Sequence, residues 1–400
     1  MSKIMVIAGG DWQIELIKKA KKMGHYVICS NLYEDSPAFP YADACEVANV
    51  LDKEKNLEIA KKYMPDAVIS DQSDIAVPTV AYLNEQLGLR GIGTDKADIF
   101  TDKTLMRQRC KDAGLPVPDF KICRTIEDAE EMLLKYGKII IKPIDSQSSR
   151  GVYTIKNSDD LHEKYMDTMS YSNRRKEILA EEYIGGDEFT IDGLVVNGTH
   201  YPLCISIKEM YKENPNVSKV QTYTYTHPKY DYDLLRKTNK SLVESIGLPF
   251  GLTHSEYKFY KGQFYLIEAG ARGGGSNLSG KVVPYMSGID NYEYLIKQAL
   301  GESVDEDKLK NHSFDRNKCV VMRFFDFGEG IVKEVCGKEY LLNHPNMIDF
   351  QLEVKSGDEL KNPKYGRLRP GHFIIGAESY EEAQKITADI LKKVNVIFED

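Results

Sequence analysis

Residues 252–277 read LTHSEYKFYKGQFYLIEAGARGGGSN, and the organisation of the chain turns on how this stretch folds. Two runs rich in Tyr, Phe, Leu and Ile, Leu252–Tyr260 and Gln263–Ala269, flank Gly262, the pattern of two strands joined by a tight turn. Glu256 and Glu268 each stand six residues from Gly262. A three-residue turn through Lys261, Gly262 and Gln263 would therefore set them opposite each other on one face of a sheet. Opposed carboxylates repel unless a cation or a shared proton offsets them, and hard oxygen donors suit Mg2+ held jointly with substrate phosphates. A two-residue turn would send them to opposite faces, leaving ordinary exposed strand glutamates.

The stretch ends in Arg272 and a triple glycine. Arginine offers a fork for a carboxylate or phosphate, and Gly273–Gly275 allow a ligand to approach the backbone, which makes Gly274, Gly275 and Ser276 candidate substrate contacts. Gly275, Gly280 and Lys281 imitate a Walker-type phosphate loop, but Val282 stands where the Mg2+-binding hydroxyl belongs. Upstream, Lys142 closes the apolar run Ile139–Ile141 and precedes a polar loop, Asp145–Gly151. Such a loop suits a polyphosphate, with the lysine as a point charge; a Ser-rich hairpin loop has the same composition.

The first hundred residues alternate short apolar runs with helical stretches, the βαβα rhythm of a parallel sheet. Their first turn, Ala8–Asp11, lacks the spacing of a dinucleotide fingerprint and reads as a plain tight turn. Later segments are hairpin-like, with Glu188–Asn197 and Thr199–Lys208 meeting across Gly198, and the last block carries one clear helix, Ser379–Lys393.

Composition narrows the function classes. With 400 residues, 42% hydrophobic and 28% charged, the chain has the makeup of a soluble protein of several domains. Its net charge of -8 and lack of a basic run leave no electrostatic footprint for nucleic acid. No apolar stretch approaches the ~20 residues of a membrane span, and no leader is evident, so the expected location is the cytoplasm. Seven scattered cysteines without a C-x-x-C argue for reduced thiols.

Four segments, in order, resemble the ATP-grasp ligases. Asp102, Lys103 and Arg107 followed by Ala113–Pro118 are similar to the family's entry to the nucleotide domain, and Ile140–Pro143 to its second lysine strand. Glu181–Thr190 resembles the hinge that holds adenosine, and Glu256 with Ile267–Arg272 the metal and substrate segment. The resemblance implies mixed α/β and α+β architecture: a Rossmann-like N-terminal domain (1–100), an ATP-grasp domain in two subdomains hinged near 181–188 (101–305), and a small C-terminal α+β domain (306–400). The nearest branch is that of biotin carboxylase and carbamoyl-phosphate synthase, and within it the L-amino acid ligases.

Carried over to this sequence, the resemblance puts Lys103 and Lys142 on ATP phosphates, with Ser148, Ser149, Arg150 and Gly151 in the loop that closes over them. Glu182, Tyr183 and Ile184 would border the adenine, Glu181 would meet its amino group and Glu188 the ribose. Glu256 and Glu268 would hold Mg2+ or Mn2+, and Arg272 and Lys142 would be the catalytic cations. His227, in a Thr/Tyr-rich run that equally describes a half-buried strand, would touch substrate. Gly270 departs from the pattern, since many members carry Asn there. The activity implied is ligation of a small-molecule carboxylate to an amine, amino acids among them, through an acyl phosphate with release of ADP and phosphate. A bicarbonate-using or phosphotransferring enzyme and a non-catalytic ATP-binding regulator are the alternatives, and a homodimer is the expected assembly.

Overall fold

The computed structural model describes residues 1–399 except 147, 148, 213, 312–316, 364 and 365. The N-terminal block is a parallel sheet in the order Ala44–Val47, Tyr26–Asn31, Lys3–Ile7, Ala67–Ile69. Three of its strands, Tyr26–Asn31, Lys3–Ile7 and Ala67–Ile69, are almost wholly buried, which explains their continuous apolar character, while the edge strand Ala44–Val47 alternates half-buried and exposed positions. Gly9 leaves its strand where a Cβ would lie 2.7 Å from Cys29 Sγ, so the first turn is glycine for packing. A short 3-10 turn, Asp74–Ala76, follows the last strand and leads into the helix Val77–Leu87.

Two antiparallel sheets then face each other. The smaller has the order Phe120–Cys123, Ile178–Glu182, Ile139–Pro143, Tyr153–Ile155. The larger has eight strands in the order Gln263–Gly270, Gly251–Tyr260, Glu188–Val196, Thr199–Met210, Ser218–Thr224, Cys319–Phe324, Gly371–Ala377, Met347–Leu352. Residues of the C-terminal block thus continue the same sheet. A separate three-stranded sheet, Glu359–Leu360, Gly330–Cys336 and Asn395–Phe398, sits in that block.

Alternation along the strands divides the large sheet into two faces. Phe189, Ile191, Tyr257 and Leu266 point into a core shared with Leu235, Leu242 and Ile246 of the helix Tyr232–Ile246. Glu188, Thr190, Asp192, His254 and Glu256 occupy the other face in cross-strand register. The helix Lys103–Asp112 is capped by Asp102, whose carboxylate accepts from the N–H groups of Thr104 and Leu105, so Lys103 and Arg107 enter on a rigid element. All seven cysteines are free. Among the described residues, no helix is long and apolar enough to cross a membrane.

Candidate active site

Two hairpins build the polar face, and both combine a two-residue turn with a bulge. At Lys261–Gly262 the φ angles are 47° and 80°, and Tyr260 pairs with Gln263. The three-residue turn expected from the sequence is absent; a two-residue turn by itself would separate Glu256 from Glu268. The bulge restores them to one face. Tyr257 pairs with Leu266 while Glu256 pairs with Glu268, leaving Ile267 as the extra residue. In the preceding hairpin, Asn197–Gly198 turns with φ of 49° and 78°, and a register shift between Pro202 and Cys204 brings Lys208 opposite Glu188.

Each carboxylate on this face already holds a cation. Lys208 Nζ lies 2.8 Å from Glu188 Oε1 and 2.8 Å from Glu256 Oε1. Burial works against its charge, but the two carboxylates outweigh that and raise its pKa. His254 Nδ1 stands 2.8 Å from Asp192 Oδ1, and its Nε2 lies 3.5 Å from Glu256 Oε1. Burial disfavours the imidazolium; Asp192 and Glu256 overcome it and lift the pKa to about 9. Burial alone would raise the pKa of Glu256, and Lys208 and His254 instead hold it well below the usual carboxylate range. Lys103 Nζ donates to Glu268 Oε1 at 2.9 Å and to the Ser146 carbonyl at 2.8 Å.

A second buried ion cluster joins the two sheets. Arg107 Nε donates to Glu181 Oε1 at 2.5 Å, and Lys142 Nζ lies 2.5 Å from Glu181 Oε2. Arg107 Nη2 also donates to the carbonyl of the bulged Ile267 at 2.7 Å. Burial pushes the Lys142 ammonium down to about 8, with Arg107 and Lys103 adding repulsion that Glu181 only partly offsets. Glu181 lies below its ordinary value because Arg107 and Lys142 outweigh its desolvation. Each of its carboxylate oxygens thus faces a buried cation.

Between the sheets runs a cleft. Lys142, Glu182, Tyr183 and Ile184 line one side, and Glu188, Glu256 and Glu268 the other. The Tyr183 ring is flanked by Lys138 Nζ, 3.3 Å from its centroid, and by Lys258 Nζ at 5.4 Å. Gly186, at φ 92°, passes so close to the large sheet that a Cβ would meet the Phe259 carbonyl at 2.0 Å. Only glycine permits that hinge. Ser149 reaches the cleft and donates from Oγ to the Asn216 carbonyl at 3.3 Å. Ser148 lies outside the described residues. The Arg150 carbonyl accepts from Ser146 Oγ, and Gly151 packs beside Tyr171 and Pro143.

The remaining candidates sit elsewhere. Arg272 is clamped by Asp74 of the N-terminal block, with Nε to Oδ1 at 2.8 Å and Nη2 to Oδ2 at 2.7 Å. Gly274 covers Asp192, to which its N–H donates at 3.2 Å, and Gly275 lies beside the Trp12 ring. Ser276 and Asn277 turn the chain with φ of 56° and 61°. His227 packs its ring 4.8 Å from Tyr230 and accepts at Nδ1 from the Lys229 N–H, on the Tyr230–Phe259 side of the sheet. It is not among the residues lining the cleft.

Residues 136–279 match the family model of the ATP-grasp domain. The chain carries an ATP-grasp domain. Residues 323–399 match the model of L-amino acid ligase C-terminal domain 2. The alanine–anticapsin ligase of Bacillus subtilis is 27% identical over 269 residues, covering 61% of this chain and 56% of that protein. A formate-dependent phosphoribosylglycinamide formyltransferase of Bacteroides thetaiotaomicron is 27% identical over 191 residues, 47% of this chain and 49% of that protein. The chain spans about half the length of most of the curated relatives it matches. Among solved structures, the L-amino acid ligase from Bacillus licheniformis superposes with a TM-score of 0.85 at 21% identity, covering 100% of this chain and 99% of that one. N5-carboxyaminoimidazole ribonucleotide synthetase from Thermotoga maritima gives 0.74 at 22% identity, covering all of both chains. These likenesses establish the fold over the whole length of the chain.

Several residues that hold the candidate site residues in place escape a reading of the sequence. Lys208 comes opposite Glu188 only because the bulge shifts the hairpin register across Gly198 by one. Asp71 and Asp74 lie some 200 positions from the groups they bind. The Asp71 carboxylate is buried and accepts from the Gly273 N–H at 2.6 Å and the Tyr292 hydroxyl at 2.8 Å. Gly270 opens the space that the Asp74–Arg272 pair needs: a Cβ there would stand 3.0 Å from Asp74 Oδ1.

Proposed function

We propose that this protein is an ATP-dependent carboxylate–amine ligase that works through an acyl phosphate and releases ADP and phosphate. The observation that carries the reading is the pairing of Glu256 with Glu268 across the bulge, facing Lys103 and Lys142 in the cleft between the two sheets. The match of residues 323–399 to an L-amino acid ligase domain supports amino acids as the substrates.

ATP would lie in the cleft with its adenine against Glu182, Tyr183 and Ile184, its ribose near Glu188, and its phosphates on Lys103, Lys142 and the loop at 148–151. No group of three or more Asp, Glu, His or Cys among the described residues forms a metal cage. Two hard carboxylates on one face nevertheless fit Mg2+ or Mn2+, which need few protein oxygens when phosphates complete the shell. Bound there by Glu256 and Glu268, the ion supplies neutralisation of the phosphate charge. Lys103 and Lys142 hold the γ-phosphate for in-line attack by the substrate carboxylate, and Glu181 and Ser146 fix those ammonium groups. Carboxylate oxygen bonds to the γ-phosphorus as its bond to the bridging oxygen breaks and ADP leaves. Arg272 stabilises the charge on the acyl phosphate, and the amine then displaces phosphate from the acyl carbon.

The test is ADP and phosphate release from MgATP across pooled amino acids and small carboxylic acids. Release should require both an acid and an amine. AMP as the product, or release that follows bicarbonate instead of an amine, would reject the reading, as would silence in every pool while calorimetry still shows MgATP binding.

Lys142 adds a pH dependence. Its ammonium is charged below about 8 and neutral above, so a phosphate that requires the charged form binds progressively less well as pH rises through that value. Linkage gives a rise of about tenfold in the Kd for MgATP between pH 7 and pH 9. Calorimetry at those two pH values reads it, and Lys142→Arg should flatten the slope; an equal slope in both proteins would assign the titration to another group.

A further inference from the structure

The seam between the N-terminal block and the glycine-rich loop is unusually well made. Of the four residues Asp71–Asp74, three hold the segment that begins at Arg272. The Asp71 carboxylate accepts from the Gly273 N–H, Gln72 Oε1 accepts from the Asn277 N–H at 3.0 Å, and Asp74 takes the guanidinium. Asp71 and Gln72 bind backbone and are enough to dock the loop. Asp74 alone of the three binds a charged side chain, and apart from the Gly273 carbonyl it is the partner that fixes the direction of that guanidinium.

An arginine carries five N–H donors. Asp74 accepts from Nε and Nη2, and the Gly273 carbonyl from Nη1 at 3.0 Å. Two donors therefore remain on the terminal nitrogens while the plane of the fork is fixed by a bidentate carboxylate. Both side chains are 15% exposed, so the pair is largely shielded from water. Gly270 is part of the arrangement, because a Cβ would stand 3.0 Å from Asp74 Oδ1 and 3.3 Å from Arg272 Nε.

We propose that Asp74 is the positioning residue for Arg272, so that the N-terminal block supplies the acid that aims this guanidinium at the reacting carboxylate. The proposal rests on the ligase reading given above. A fixed fork presents its two free N–H groups without first surrendering rotamer freedom, and that gain appears in turnover rather than in nucleotide binding.

The experiment is a double-mutant cycle with Asp74→Asn and Arg272→Ala, followed by ADP release with the acid and amine found in the pools. Asp74→Asn should lower kcat on the order of tenfold while the KM for ATP stays unchanged, and it should have no further effect once Arg272 is already Ala. Losses that simply add, or a change confined to the KM for ATP, would overturn the proposal. A second measurement works without turnover: the Nε–H resonance of Arg272 in nitrogen-15-labelled protein, assigned by Arg272→Lys. It should be sharp in the wild type and broadened or lost in Asp74→Asn. If no acid and amine release ADP, the ligase reading falls by itself, and a resonance unchanged by Asp74→Asn then overturns the positioning role as well.

Discussion

Glu268→Gln is expected to lower ADP release by on the order of 100- to 1,000-fold while leaving the fold intact. The substitution keeps the shape of the side chain and removes its charge. That charge does two jobs in the cleft: it faces Glu256 in the pair proposed to hold the divalent ion, and it holds Lys103 at 2.9 Å. Glutamine cannot replace either, since a neutral amide is a weak oxygen donor to a hard cation and a poor partner for an ammonium. Lys103 keeps the Ser146 carbonyl, and the Glu268 side chain is one-third exposed, so little stability is lost. Steady-state kinetics beside a thermal melt decides the matter. A variant within a few-fold of wild-type turnover would remove Glu268 from the chemistry, and one that fails to melt cooperatively would show that the charge serves the fold.

Arg107→Leu should have the largest effect on stability, a loss of about 3–5 kcal/mol, because it breaks a fully buried ion pair from one side only. Glu181 would be left 2% exposed with Lys142 as its single cation, and the carbonyl of Ile267 would lose its donor. Arg107→Lys should rescue little, as one ammonium cannot reach both the carboxylate and the bulge in the planar geometry that the guanidinium uses. Chemical denaturation followed by circular dichroism measures the loss; a midpoint equal to that of the wild type would mean the cluster is dispensable. The sign of its pH dependence follows from Glu181. With its folded pKa held below the ordinary value, the stabilisation is present at neutral pH and is lost as pH falls through the acid range.

Much of this site could be read from residue order, and the parts that could not share a physical cause. Helices with strong caps and turns with glycine at their ends fell where local chemistry dictates, as at Asp102 and at Gly198. Paired carboxylates were legible because their spacing is symmetric about Gly262, although the turn inferred from that symmetry was one residue too long. What symmetry could not reveal is that a tighter turn and a bulge at Ile267 give the same pairing, because a bulge is selected by a contact from elsewhere, the Arg107 donor. Ion pairs across long separations were equally hidden. Nothing near Glu181 in the chain announces that Arg107 and Lys142 converge on it, and nothing near Asp74 announces Arg272. His227 shows the converse limit: a histidine in a polar, aromatic run looked like a site residue and instead packs against Tyr230.

The eight-stranded sheet sets a limit on how such proteins can be recombined. Val220–Tyr223 hydrogen-bond to Arg323–Val320, so the strand Ser218–Thr224 has a C-terminal strand as its lateral neighbour. An exchange of the C-terminal region with that of a relative is therefore a graft along a hydrogen-bonded seam, not the swapping of a bead on a string. Donor segments must present the same strand polarity and the same phase of inward and outward side chains at residues 319–324. A chimera that meets this requirement inherits a continuous sheet; one that misses it by a single position exposes an unpaired edge beside the cleft, where association with other copies would compete with folding.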